Sequence, residues 1–99
     1  MLNKRITCED GFSMSVQANQ TAYCHPRIDN ADKYTAVEVG YPSMYEPWLI
    51  EWAEEKDSPC DTVYGWVPVH VILTVCAKHG GIISGELPPG IPRLLGKDK

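Results

Sequence analysis

The chain has no apolar run approaching the roughly 18 residues that a membrane-spanning helix needs. It also has no C-x-x-C pair and no two histidines three to five positions apart. The first absence argues against a helical membrane protein, and the others against a structural zinc site, whose ligands usually come in such pairs. No G-x-S-x-G sequence and no papain-like cysteine context marks a nucleophile. The stretch GGIISGELPPG, residues 80–90, lacks the Gly-Lys-Ser/Thr ending of a phosphate loop and follows a predicted helix instead of opening one. The opening MLNKRITCEDGF turns polar at once and lacks the apolar stretch of a signal peptide, so the expected location is cytoplasmic. There is no internal repeat and no linker.

What is present reads as globular. The 99 residues are 43% hydrophobic and 22% charged, and a chain of this length buries roughly two thirds of the surface its unfolded form exposes, enough for one core. A single α+β domain over 1–99 is expected. The four cysteines, Cys8, Cys24, Cys60 and Cys76, are widely spaced. In a reducing cytosol they are expected as free thiols, with Cys8 and Cys76 in apolar patterns where cysteine acts as a small hydrophobe.

Positive charge is scarce where negative charge gathers. EPWLIEWAEEKDSPCD, residues 46–61, holds Glu46, Glu51, Glu54, Glu55, Asp57 and Asp61 against Lys56, a local net of −5. The rest of the chain carries seven acids against eight bases, so nearly all of the overall −4 lies in this segment. Direct nucleic-acid binding needs the opposite sign, because contacts to phosphate supply most of that affinity.

Along the chain, KRITCEDGFSMSVQAN predicts a β-hairpin. Asp10-Gly11 makes the tight turn, and Phe12, Met14, Val16 and Ala18 alternate with polar residues behind it. QTAYCHPRIDNADK reads as a loop. YTAVEVGY predicts a third strand with Thr35, Val37, Val39 and Tyr41 on one face, and Gly40 as a possible bulge. A short acidic helix is expected over about 47–55, with Pro47 in its first turn and Trp48, Leu49, Trp52 and Ala53 on one face. DTVYGWV predicts a fourth strand. The main helix is expected over about 68–79, with Val69, Ile72, Leu73 and Cys76 as its apolar stripe and Gly80-Gly81 as its C-cap. From about 82 the proline-rich tail is expected to run extended, docked or disordered. The architecture implied is a small, mainly antiparallel sheet of about four strands with the main helix across its apolar face.

Two pairs invite a metal- or thiol-dependent reading. Cys24 and His25 are adjacent, which makes a poor ligand pair and usually sends the side chains apart. Cys76 and His79 lie three apart on the main helix and share a face. Buried thiols and surface histidines are the commoner explanation, and no catalytic residue, metal or cofactor is assigned. Glu54 and Glu55 point differently on a helix among other acids and read as a solvated face rather than an acid–base pair.

The aromatic and acidic segment admits two compatible readings. The tryptophans pack a helix on the sheet, since large aromatics dominate small cores. Alternatively, Tyr45 and Trp48 anchor a partner while Glu51, Glu54, Glu55, Asp57 and Asp61 meet its positive charge.

DGFSMSVQA, YCHPR, AVEVGYPS and VYGWVPVHVI…KHGG together span most of residues 10–81, and in these phrases the chain resembles small proteins of bacteriophages and prophages. Small acidic proteins of that kind include anti-CRISPR inhibitors, which block nucleic-acid-handling host complexes by occupying a basic surface. The resemblance implies a non-enzymatic inhibitor of a host defence complex, acting in the bacterial cytoplasm on a protein or ribonucleoprotein. It transfers no site residue. The alternatives are a small enzyme using Cys24/His25 or Cys76/His79, and a homo-oligomeric phage structural or regulatory subunit.

Overall fold

The computed structural model describes residues 2–96. Five strands, β1 (Ile6–Cys8), β2 (Ser13–Gln17), β3 (Ala36–Gly40), β4 (Val63–Pro68) and β5 (Ile82–Ser84), form an antiparallel sheet in the order β4-β3-β2-β1-β5. The helix α1 (Val69–Lys78) follows β4 directly. The fold is α+β, a small antiparallel sheet with one helix on it.

The N-terminal hairpin forms as its residues predict. Ile6 faces Met14 and Thr7 faces Ser13. Gly11 takes the positive φ of 96° that the turn requires, and Asp10 Oδ1 accepts the Phe12 N–H at 2.9 Å. Period-two alternation then sends Phe12, Met14 and Val16 inward. These residues join Ile6, Cys8, Val37, Val39, Tyr64 and Val67 of the sheet, and Val71, Ile72, Val75 and Cys76 of α1, in one buried cluster.

Three expectations need correction. The acidic helix over 47–55 shrinks to one 3₁₀ turn, Ile50–Trp52. A nucleus this short gains few hydrogen bonds, and the chain is drawn into extended form as Ala53 pairs with Tyr64. Leu49, rather than either tryptophan, is the fully buried residue of this segment. In the third strand, Thr35 and Tyr41 fall outside the ladder, Tyr41 leaving it at φ 49° and half exposed. The irregularity expected at Gly40 lies instead between Val37 and Val39.

The sheet also gains a fifth strand from the start of the tail. Ile82 pairs with Cys8, and Leu94 and Gly96 pair with Ile82 on its outer side. The tail is docked up to Gly96: Pro88 and Ile91 are buried, and Pro89 O accepts the Tyr34 N–H. Gly81 permits this return, since a Cβ there would lie 2.5 Å from Gly96 N. No helix of the described residues is long and apolar enough to cross a membrane.

Candidate functional site

Glu51, Glu54, Glu55, Asp57 and Asp61 are all exposed. Glu51 lies in the 3₁₀ turn, and the other four lie in the loop that runs from it to β4. The loop closes on itself: Glu54 N–H donates to Val63 O, Glu55 N–H to Thr62 Oγ1, and Asp61 N–H to Ser58 O. Tyr64 O–H donates to Pro59 O at 2.6 Å and ties the loop to β4. These bonds use backbone and hydroxyl groups, which leaves the carboxylates facing water. Among the described residues, none of the five forms an ion pair. Lys56, the one base in the loop, donates to the backbone oxygen of Glu51. Five carboxylates against one lysine leave a net −4 on this surface.

Tyr45 and Trp48 lie just before the acids and are 55% and 48% exposed. Tyr41 and Met44 are comparably exposed, so the segment 41–48 presents several large side chains to water. Trp52 is partly buried against the core. The two tryptophans therefore divide the two roles: Trp52 packs and Trp48 faces out.

Glu46, the first acid of the segment and not one of the expected contact residues, is only 1% exposed. Its Oε1 lies 2.7 Å from His79 Nε2, and its Oε2 accepts from Lys78 Nζ at 3.0 Å and from the Trp48 N–H at 2.8 Å. The other ring nitrogen of His79, Nδ1, lies 2.6 Å from Asp10 Oδ2. Phe12 stacks on the imidazole with centroids 4.1 Å apart. Burial opposes a charge on His79, but its hydrogen bonds to Asp10 and Glu46, with their negative charges, outweigh it and raise its pKa. Burial likewise pushes Glu46 up, while the Trp48 N–H, His79 and Lys78 bring it below the usual carboxylate value. Asp10 is also lowered: its desolvation is outweighed by the Phe12 N–H and His79. The charge of Glu46 is thus neutralised within the fold.

With both ring nitrogens held by carboxylates, His79 has no free position from which to abstract a proton. Cys76, its neighbour on α1, contacts Cys8 instead. That thiol pair is almost fully buried, and hydrogen bonding between the two lowers Cys8 and raises Cys76. Cys24 and His25 also part company. Cys24 is buried and its S–H faces the carbonyls of Asn19 and Pro26, while His25 is exposed and pairs through its backbone with Ala36. Among the described residues no group of three histidine, cysteine or acidic side chains is arranged to hold a metal ion; Asp10 and Glu46 both direct their carboxylates to the ring nitrogens of His79. A polar groove of about 220 Å³ is lined by Asn3, Asn19, Asp29, Asn30 and Tyr34 among others and has no cysteine in its lining; Cys24 reaches it only through its bond to the Asn19 carbonyl. It is smaller than the roughly 300–1,000 Å³ of typical small-molecule pockets.

Comparison with protein-family models, with curated proteins and with solved structures found no match.

Proposed function

We propose that this chain is a non-enzymatic binding protein whose segment 45–61 docks on a basic surface of another macromolecule. Tyr45 and Trp48 supply the apolar contact. Glu51, Glu54, Glu55, Asp57 and Asp61 supply negative charge in place of the phosphates that such a surface ordinarily holds. The observation carrying this reading is the juxtaposition of five exposed carboxylates, lacking internal ion pairs among the described residues, with two half-exposed aromatic rings. An anchor beside complementary charge is the anatomy of a steered protein interface. The resemblance to phage and prophage proteins directs the choice of partner to a nucleic-acid-handling host defence complex, with the chain as its inhibitor.

The test is capture from a bacterial lysate by the tagged chain, with partners identified by mass, alongside the variant Glu51→Lys, Glu54→Lys, Glu55→Lys. The wild type should retain a basic protein or ribonucleoprotein and displace nucleic acid from it. The variant should keep its circular dichroism spectrum and lose that partner. Equal retention by both proteins rejects the proposal.

A further inference from the structure

β4 carries a second aromatic feature, distinct from Tyr45 and Trp48. Trp66 is 52% exposed within the strand, and its ring stacks on Tyr23 with centroids 5.0 Å apart and planes 18° apart. The Arg27 guanidinium lies 5.4 Å from the centroid of the Tyr23 ring. Two hydrogen bonds fix the arrangement, one within the backbone and one to a side chain. Trp66 N–H donates to Tyr23 O at 2.9 Å, and Tyr23 N–H donates to Glu38 Oε2 at 3.2 Å. Gly65 leaves room for the stack, since a Cβ there would lie 3.3 Å from Tyr23 Cβ, tighter than most real contacts.

The strand deforms to present this ring. Val37 faces Val67 and Val39 faces Tyr64, so β4 holds one more residue than β3 across this interval. Such a bulge re-aims a side chain. Trp66 itself sits at φ 51°, a left-handed conformation that is costly for a bulky residue and easy for glycine or asparagine. Folding stability gives little reason to place a half-solvated indole there, and strain of this kind points to a use for the side chain.

We infer that Arg27, Tyr23 and Trp66 form a preorganised stacking site for a guanidinium or ammonium group of a basic partner chain. Tyr23 covers one face of the indole, and about half of the Trp66 surface still meets solvent. Tryptophan is the best aromatic acceptor of a cation. The acidic loop runs directly into β4, and the chain carries −4 overall, so the approach favours a cation over a phosphate. The inference rests on the proposed basic partner and assigns it a second point of attachment.

The probe is an Arg-Gly repeat peptide of twelve residues, titrated by calorimetry at low salt, with a Gln-Gly repeat as the neutral control. Trp66→Gly and Trp66→Asn both suit the observed φ, so each should melt within a few degrees of wild type. Each should bind the arginine peptide about threefold or more weakly, the loss expected from one exposed cation–π contact, and Trp66→Phe should lose less. Wild-type affinity in a folded Trp66→Gly or Trp66→Asn protein overturns the stacking site. If Glu54→Lys, Glu55→Lys nevertheless binds poorly, the acidic docking surface stands without it. If only the Trp66 variants weaken, the stacking site stands and the acidic surface falls.

Discussion

His79 Nε2 and Glu46 Oε1 lie 2.7 Å apart in the interior, although 33 positions separate the two residues in the chain. Asp10 holds the opposite side of the same ring, so one imidazole joins the hairpin turn, the segment before the 3₁₀ turn and the end of α1. Glu46 then orients the proposed anchor, through the Trp48 N–H and through Lys78, whose ammonium sits 4.5 Å from the centre of the Trp48 ring. A network with His79 and Glu46 buried at its centre thereby sets the position of the exposed aromatic at its border.

The first prediction concerns pH. The folded pKa of His79 is raised above its ordinary 6.5. Its contribution to stability is therefore complete below pH 6.5 and is lost as pH rises through the folded value. Asp10 and Glu46 are depressed from 3.8 and 4.5, so theirs is complete above those values and is lost as pH falls through the folded ones. Urea midpoints measured from pH 3 to 10 should peak in the weakly acidic range and decline on both sides. In His79→Gln the alkaline decline should flatten; an unchanged alkaline limb would assign that titration to another group.

Glu46→Ala removes the acceptor shared by His79, Lys78 and the Trp48 backbone. Removing one member of a buried ion pair leaves an uncompensated charge and costs about 3–5 kcal/mol. Here Lys78 reaches solvent and His79 keeps Asp10 on its other ring nitrogen, so the loss should fall below that range, at about 1–3 kcal/mol. Chemical denaturation should register most of that loss, and a change below about 1 kcal/mol would show that water replaces the carboxylate without penalty.

The hairpin, the main helix and the inward positions of Phe12, Met14 and Val16 were legible because they rest on local periodicity and turn chemistry. The loop of exposed acids was legible as charge density. Glu46 was not separable from its neighbours: its sequence context suits a helix N-terminus, and its partners lie 32 and 33 residues away. His79 likewise fits a helix end, and nothing near it signals a carboxylate on either side. β5 was hidden by the prolines that follow it, since three residues are too few to show alternation. Trp66 gave no warning of its backbone because a bulge depends on the register with β3.

Trp48 and Leu49 are adjacent and should behave oppositely. Leu49 is fully buried, so Leu49→Ala should cost about 2–5 kcal/mol. Trp48 is half exposed, and Trp48→Ala should cost about 1 kcal/mol through its contact with Lys78. Partner affinity should reverse this order, falling in Trp48→Ala and holding in any Leu49 variant that remains folded. Thermal melts together with binding titrations separate the two residues.

The last prediction is the salt response of the proposed complex. Exposed charges interact over a Debye length of about 10 Å at 0.1 M salt and about 3 Å at 1 M. Attraction between the acidic loop and a basic surface acts mainly on encounter, so raising salt should slow association far more than it speeds dissociation. Surface plasmon resonance with the captured partner should show that asymmetry in wild type. In the variant with Glu51, Glu54 and Glu55 changed to lysine, association should be slow at low salt and should gain from added salt, because like charges are then screened. An association rate independent of salt in both proteins would mean that the carboxylates do not steer the encounter, and the acidic segment would lose its assigned role.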